Sequence, residues 1–271
     1  MAARLCGATQ ISEIMTTRRR IDLLLVERGF FESRAKAQAA IAAGLVTVNG
    51  VSAVKAAAEV FIDAELSATP AHPYVSRGGV KLAAALDHGN THVAGTICLD
   101  IGASTGGFSE VLALRGAKRV YAIDVGHGQL HPSLQVRSEI ISLEGTDIRN
   151  VTPAQLGEPP EIIVIDASFI SLKLILPAAF SLAASHCTLI ALIKPQFELK
   201  RSALKKGIVR EESLRSQVCD DIATFISSHG WRVRAAFPSP ITGGDGNIEF
   251  FVIANRDETL SSAPSAGMLP R

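Results

Sequence analysis

Four charged residues stand where charge is costly. Asp166 follows the apolar run Ile162 to Ile165, and Lys194 follows Leu189 to Ile193, so each run reads as a buried strand that delivers an ionisable group to its end. Glu249 lies inside the nearly continuous apolar stretch Asn247-Ile-Glu-Phe-Phe-Val-Ile253, and Lys81 opens a helix just after Arg77-Gly-Gly79. An unpaired charge in such surroundings is strongly disfavoured, so Asp166 and Lys194 should meet at successive strand ends, and Glu249 needs a cation. Pairs of this kind position and move protons when they face a cleft. A purely structural salt bridge, or a helix cap at Asp166 ahead of Ser168, fits the same residues.

A second group could hold a ligand. The strand-like Thr96 to Asp100 runs directly into Ile101-Gly102-Ala103-Ser104-Thr105-Gly106-Gly107-Phe108 and then a helical stretch. Glycines after a strand let a ligand approach the backbone, and the amides that open a helix favour a polar or anionic group. The next strand, Val120 to Asp124, ends in an acid able to accept ribose hydroxyls. That placement also fits a nicotinamide dehydrogenase, and a tight packing turn would look similar. The glycines, however, are not spaced as GxGxxG, and no P-loop Lys-Ser or Lys-Thr follows. Asp147, in Gly145-Thr-Asp147, is either a further ligand contact or a helix cap before Ile148.

The elements that must carry these groups alternate. Apolar runs at Thr96 to Ile101, Arg119 to Val125, Ile162 to Asp166 and Leu189 to Ile193 are separated by helical stretches, the pattern of βαβ units around a mostly parallel sheet. Ligands in such sheets gather beyond the carboxyl ends of the strands, where each of the motifs falls. Upstream, Leu23, Leu24 and Val26 lead to a helix stop at Gly29; Ser33 caps a second helix bearing Ala37, Ala40 and Ile41, which Gly44 ends. The period then changes, and Leu45 to Val48 enter a tight turn at Asn49-Gly50. Arg18, Arg19, Arg20, Arg34, Lys36, Gln38 and Lys55 accompany this small unit and could neutralise phosphates or simply form a solvated face.

Composition narrows the classes. With 47% hydrophobic and 20% charged residues in 271, the chain reads as globular and long enough for two domains. A net charge of +1 neither requires nor excludes a nucleic-acid partner, because an average hides a basic segment. Cys6, Cys98, Cys187 and Cys219 lack metal or disulfide spacing, so no metal site is expected and a reducing cytoplasm is. The start lacks the apolar core of a secretory signal, and Asp166, Lys173 and His186 break up the most apolar region, so neither export nor a membrane span is expected. Met15, immediately before the basic run, is a candidate translation start; an ordinary frayed terminus accounts equally for the unpatterned residues ahead of it.

Several stretches carry resemblances. The sequence RIDLLLVERGFFESRAKAQAAIAAGLVTVNG resembles the S4 RNA-binding domain, a helical pair and β-hairpin that grip structured RNA. LDIGASTGGF with its later acidic strand end resembles the glycine-rich motif of S-adenosylmethionine-dependent methyltransferases, in which the place of Asp147 contacts adenine. The ordered set Lys81, Asp166, Lys194 and Glu249 resembles the tetrad of RrmJ-like ribose 2′-O-methyltransferases. Together with YVSRGGVKL, IDASFIS, LIKPQFE and GNIEFF, these motifs make the chain similar to the haemolysin A or TlyA family of ribosomal RNA methyltransferases from about Arg18 to Val252.

That resemblance implies a Rossmann-like α/β methyltransferase domain behind a small α+β S4 domain, using S-adenosylmethionine without a metal to methylate a cytidine ribose of ribosomal RNA or a ribosomal subunit. Lys194 would orient and deprotonate the 2′-hydroxyl, Asp166 and Glu249 would hold it, and Lys81 would supply a cation. A lysine accepts a proton only where burial or a nearby cation favours its neutral form. Asp100, Gly102, Ala103, Ser104, Thr105, Gly106, Gly107, Phe108, Asp124 and Asp147 would form the cofactor site. RNA contacts are expected from Arg18, Arg20, Arg34, Lys36, Gln38, Lys55 and Arg77, and from Lys200, Arg201, Lys205 and Lys206 in a loop that continues to Arg210. Between Leu199 and Lys206 that loop departs from the family's more glycine-rich form.

The expected boundaries are a disordered or non-native extension over 1–17, the S4-like domain over 18–66, a linker over 67–80, the methyltransferase domain over 81–255 and a flexible tail over 256–271. Two other classes compete. A membrane-active haemolysin should offer a cationic amphipathic or spanning helix. An inactive RNA-binding protein should lack a tetrad residue, and all four positions are filled.

Overall fold

The computed structural model describes residues 17–243 and 245–257; the expectations for residues 1–16 and 258–271 lie outside the described residues. The chain divides into two units between Pro73 and Tyr74.

In the first unit, β1 (Arg18–Arg20) pairs antiparallel with β4 (Glu59–Phe61). Helices α1 (Ile21–Glu27) and α2 (Arg34–Ala42) pack Leu24, Leu25, Ala37, Ala40 and Ile41 into one core with Phe31 and Val46. The Ser33 side chain caps α2 by accepting from the Lys36 amide. Strands β2 (Val46–Val48) and β3 (Val51–Ser52) are joined through Asn49 at φ 50° and Gly50 at φ 77°. Two successive left-handed residues match the twist of a tight hairpin, which is why Asn-Gly stands there. Strand β5 (Leu66–Ala68) completes a three-stranded sheet in the order β3-β2-β5.

The second unit begins with α3 (Arg77–His88). Strand β5 and helix α3 claim both ends of the linker expected over 67–80, leaving 69–76 between them; Lys81 sits one turn inside α3 rather than at its start. Next come β6 (Ile97–Ile101), α4 (Gly107–Leu114), β7 (Arg119–Asp124), α5 (Pro132–Gln135), β8 (Ile140–Glu144), α6 (Pro153–Leu156), β9 (Ile162–Ile165), α7 (Leu172–Leu182), β10 (His186–Ile193), α8 (Pro195–Glu198), α9 (Glu212–Ser228), β11 (Arg232–Pro238) and β12 (Phe250–Asp257). The strands form one sheet in the order β11-β12-β10-β9-β6-β7-β8, parallel except for β12, which runs against both neighbours. Strand β12 carries Arg256 and Asp257 in register with β10, so the tail expected from residue 256 begins no earlier than 258.

Alternation along β6 shows how the sheet is buried on both faces. Ile97, Leu99 and Ile101 face a core shared with α7 and α9, while Cys98 faces the core of α3 and α4. Helices therefore cover both sides, and the polar chemistry is pushed to the strand ends. Among the described residues, no helix is long and apolar enough to cross a membrane.

Candidate active site

Three adjacent strand ends deliver charge to one edge of the sheet. Asp166 leaves β9, with its amide still donating to the Ile101 carbonyl of β6. Lys194 leaves β10. The antiparallel register of β10 and β12 ends at Ile193 opposite Phe250, so the reversed strand brings Glu249 to the same edge. Lys81 projects there from the buried face of α3.

The four residues form two ion pairs. Lys81 Nζ donates to Glu249 Oε2 at 2.5 Å, with both residues buried at 7% and 3% exposure. Lys194 Nζ forms a salt bridge with Asp166 Oδ1 at 2.6 Å, and the ammonium also donates to Ser168 Oγ at 2.8 Å. Lys194 is buried, whereas the Asp166 side chain keeps 20% exposure. Asp166 caps no helix, since Ser171 caps α7. The first pair is closed. The second is part-exposed, with Asp166 and Ser168 both facing open space.

That space is a cavity of about 450 Å³ bounded by Asp166, Ser168, Gly102, Ser104, Asp124 and Asp147, with Ile123, Ile148 and Ile175 as apolar wall. Gly102 adopts φ 82°, and a Cβ there would sit 2.8 Å from the Asp166 carbonyl oxygen. Only glycine lets the loop after β6 press this closely on the end of β9. The Asp124 carboxylate accepts from the Ser104 amide and the Gly126 amide, each at 2.8 Å, and so ties two loops together at the rim. Asp147 caps the helical turn Ile148–Asn150 and pairs with Arg149, which holds its carboxyl below the ordinary range; it also lines the cavity, so cap and wall are one residue.

Other expected ligand residues lie behind this surface. Asp100 is fully buried, shares the face of Cys98 and accepts from Ser109 Oγ of α4 at 2.6 Å, while its other oxygen has no partner. Burial pushes its carboxyl up to about 7. Phe108 packs in the α3/α4 core, and a Cβ on Gly106 would strike the Leu134 side chain. Neither these nor Ala103, Thr105 and Gly107 reach the cavity wall, because the loop folds back into α4 there. Conversely, Ser168, Gln129, Thr146 and Phe169 line it and were not anticipated. Phe169 is 90% exposed at φ 64° and lies 5.0 Å from the Phe197 ring. No sequence signal separates this phenylalanine from a core residue.

In the first unit, Arg20, Arg34 and Gln38 converge on one acid that the sequence did not single out. Asp22 accepts from Arg20 at 2.9 Å, Arg34 at 3.1 Å and Gln38 at 2.7 Å. It is fully inaccessible, covered by its own partners rather than by depth in the core, and Arg20, aided by Gln38 and Arg34, holds its carboxyl far below the ordinary range. Lys36 pairs with Glu32, Arg18 lies over the Phe61 ring and Lys55 is exposed. In the second unit Arg77 donates to the Thr242 carbonyl, and Lys200, Arg201, Lys205 and Lys206 are exposed.

Known proteins match both units. The FtsJ-like methyltransferase family model matches residues 74–256, and the S4 domain model matches 19–60. YqxC of Bacillus subtilis is 43% identical over 243 residues, covering 88% of this chain and 86% of YqxC. The 16S/23S rRNA (cytidine-2′-O)-methyltransferase TlyA of Mycobacterium tuberculosis is 40% identical over 241 residues, covering 88% of this chain and 90% of TlyA. A solved Streptococcus thermophilus structure that carries a hemolysin name is 40% identical, with a TM-score of 0.71 and 89% of each chain covered. By its paired lysines and carboxylates, its sheet order and these matches, the chain belongs to the FtsJ-like methyltransferase family, with an S4 domain ahead of the catalytic domain.

Proposed function

We propose that this enzyme transfers a methyl group from S-adenosylmethionine to a cytidine ribose 2′-hydroxyl of ribosomal RNA in the cytoplasm, with the S4 domain helping to hold the RNA. The observation that carries the reading is Lys194: a buried ammonium held by Asp166 and Ser168, both of which line the cavity.

The cavity suits the cofactor by shape and donor set. Gly102 leaves room along the backbone, Asp124 and Asp147 offer acceptors for ribose and adenine, and the isoleucines provide a flat apolar surface. S-adenosylmethionine supplies an electrophilic sulfonium methyl when bound there. A ribose hydroxyl is a weak nucleophile, so this chain's residues must align it and take its proton. Lys194 Nζ would hold the 2′-oxygen and, in its neutral form, accept its proton as the oxygen takes the methyl group and the carbon–sulfur bond breaks, S-adenosylhomocysteine being the leaving group. The Asp166 carboxylate at 2.6 Å stabilises the resulting ammonium. Lys81 and Glu249 neutralise one another and keep the neighbouring strand end in place. Nothing in this sequence of steps uses a metal.

The test is methyl transfer from labelled S-adenosylmethionine to ribosomal RNA and to isolated subunits, with product nucleosides identified by mass spectrometry. The expected product is 2′-O-methylcytidine. A base-methylated nucleoside, or no product with any RNA despite cofactor binding, rejects the assignment.

A further inference from the structure

We propose that Asn247 positions the basic segment 200–210 against the strand end bearing Glu249, and thereby sets affinity for RNA; the inference rests on the RNA-methylation reading above. Asn247 is 1% exposed. Its Oδ1 accepts from the Val209 amide at 3.0 Å, and its Nδ2 donates to the Gly207 carbonyl at 3.0 Å and to Asp245 Oδ2 at 2.7 Å. Its own amide donates to Asp245 Oδ1 at 3.1 Å, and its carbonyl accepts from Gly243 at 2.9 Å. A buried amide with both side-chain protons and its oxygen engaged holds one orientation, because releasing any partner leaves a desolvated polar group unpaired.

What Asn247 holds is a preformed tip. Lys205 and Ile208 exchange backbone hydrogen bonds at 3.0 and 3.2 Å around Lys206 at φ 55° and Gly207 at φ 81°, the geometry of a tight hairpin turn with two exposed lysines at its apex. Arg215 of α9 fixes the far side by donating to the carbonyls of Val209 and Arg210 at 3.0 and 2.9 Å. The segment also borders the chemistry. Arg201, Gly207 and Asp245 line a second cavity, of about 860 Å³, that shares Phe169 and Ile170 with the cavity beside Lys194. Two residues beyond Asn247, Glu249 completes the ion pair with Lys81. One buried amide thus joins the lysines suited to phosphate to the strand end of the catalytic pairs. Cations held in place neutralise phosphates without first being ordered, so loosening them costs RNA affinity more than reaction rate.

The experiment compares Asn247→Ala and Asn247→Asp with wild type in the full chain. Trypsin cleavage after Lys205 and Lys206 should accelerate about 10-fold in Asn247→Ala as the local opening becomes easier. The KM for ribosomal RNA should rise roughly 5- to 10-fold, while cofactor affinity and the single-turnover rate at saturating RNA stay within about 3-fold. Asn247→Asp keeps the acceptor for Val209 and loses both donors, so it should protect the Val209 amide from hydrogen exchange where Asn247→Ala does not. Unchanged trypsin cleavage and Val209 exchange in Asn247→Ala overturn the proposal, as does equal weakening of cofactor and RNA. RNA affinity is also read by direct binding; a wild type that binds ribosomal RNA without methylating it fails the reaction assignment and still tests Asn247.

Discussion

Two regions of this molecule bury carboxylates against cations, and they do so to different ends. In the S4 domain, Asp22 is enclosed by Arg20, Arg34 and Gln38, all donating to it. In the catalytic domain, Asp166 meets Lys194 at 2.6 Å and keeps 20% of its side chain exposed toward a cavity. The first carboxylate is saturated and fixes its arginines in place. The second stays open to a cavity. Exposure to a cavity, more than charge or burial alone, separates the pair that a substrate could reach from the pair that braces.

The comparison can be broken most forcefully at the closed Lys81–Glu249 pair. Glu249→Gln leaves the Lys81 ammonium buried without a counter-charge and should destabilise the catalytic domain by about 3–5 kcal/mol, whereas Lys81→Met with Glu249→Leu should recover most of that loss. Chemical denaturation measures both. A mild Glu249→Gln phenotype would mean that the pair is hydrated and not closed.

Asp100 sharpens the contrast, because it is buried without a cation. Its folded carboxyl at about 7 lies above its ordinary 3.8, so between those values the native state keeps a proton that the unfolded chain releases. Stability should therefore decline as pH rises from 3.8 to 7, by up to roughly 4 kcal/mol, and level off above. Asp100→Asn should abolish that decline in denaturant titrations at successive pH values. An unchanged slope removes Asp100 as its source.

Asp22 carries the opposite sign. Its depressed folded value means that its stabilisation is complete above about 4 and is lost progressively as pH falls below that. Asp22→Ala should lower protection of the S4-domain amides by about 2–3 kcal/mol at neutral pH and flatten the acid loss, the cost being limited because both arginines can rehydrate. Hydrogen exchange resolved by domain reads this. The smallest effect belongs to Arg34→Ala, which should weaken RNA binding and reduce the slope of log affinity against log salt by about one while sparing the cofactor. Equal loss of both ligands would contradict the division of labour between domains.

Legibility from sequence followed the same divide. The two ion pairs could be expected because Asp166 and Lys194 end apolar runs and Glu249 interrupts one, so local pattern alone marks them as costly. A glycine-rich segment does not reveal in sequence where its backbone turns into α4, and there Gly106, Gly107 and Phe108 pack against neighbouring side chains. Asp22 passed unnoticed because an acid in the first turn of a helix ordinarily complements the helix dipole, and its partners Arg34 and Gln38 come from the next helix. Pairing of β1 with β4 was equally hidden: three arginines read as a solvated run, not a strand. Strand β11 alternates exposed and half-buried residues at the sheet edge, a pattern too weak to stand out beside the fully buried strands.

The most direct test of the account is the single-turnover rate of methyl transfer at saturating cofactor as RNA concentration is raised, measured for Lys194→Ala and Asp22→Ala beside wild type. Asp22→Ala should approach the wild-type rate once RNA saturates, and Lys194→Ala should stay slower by at least about 10²-fold with normal cofactor binding. If Lys194→Ala instead recovers with added RNA, the lysine serves binding and the chemistry lies elsewhere.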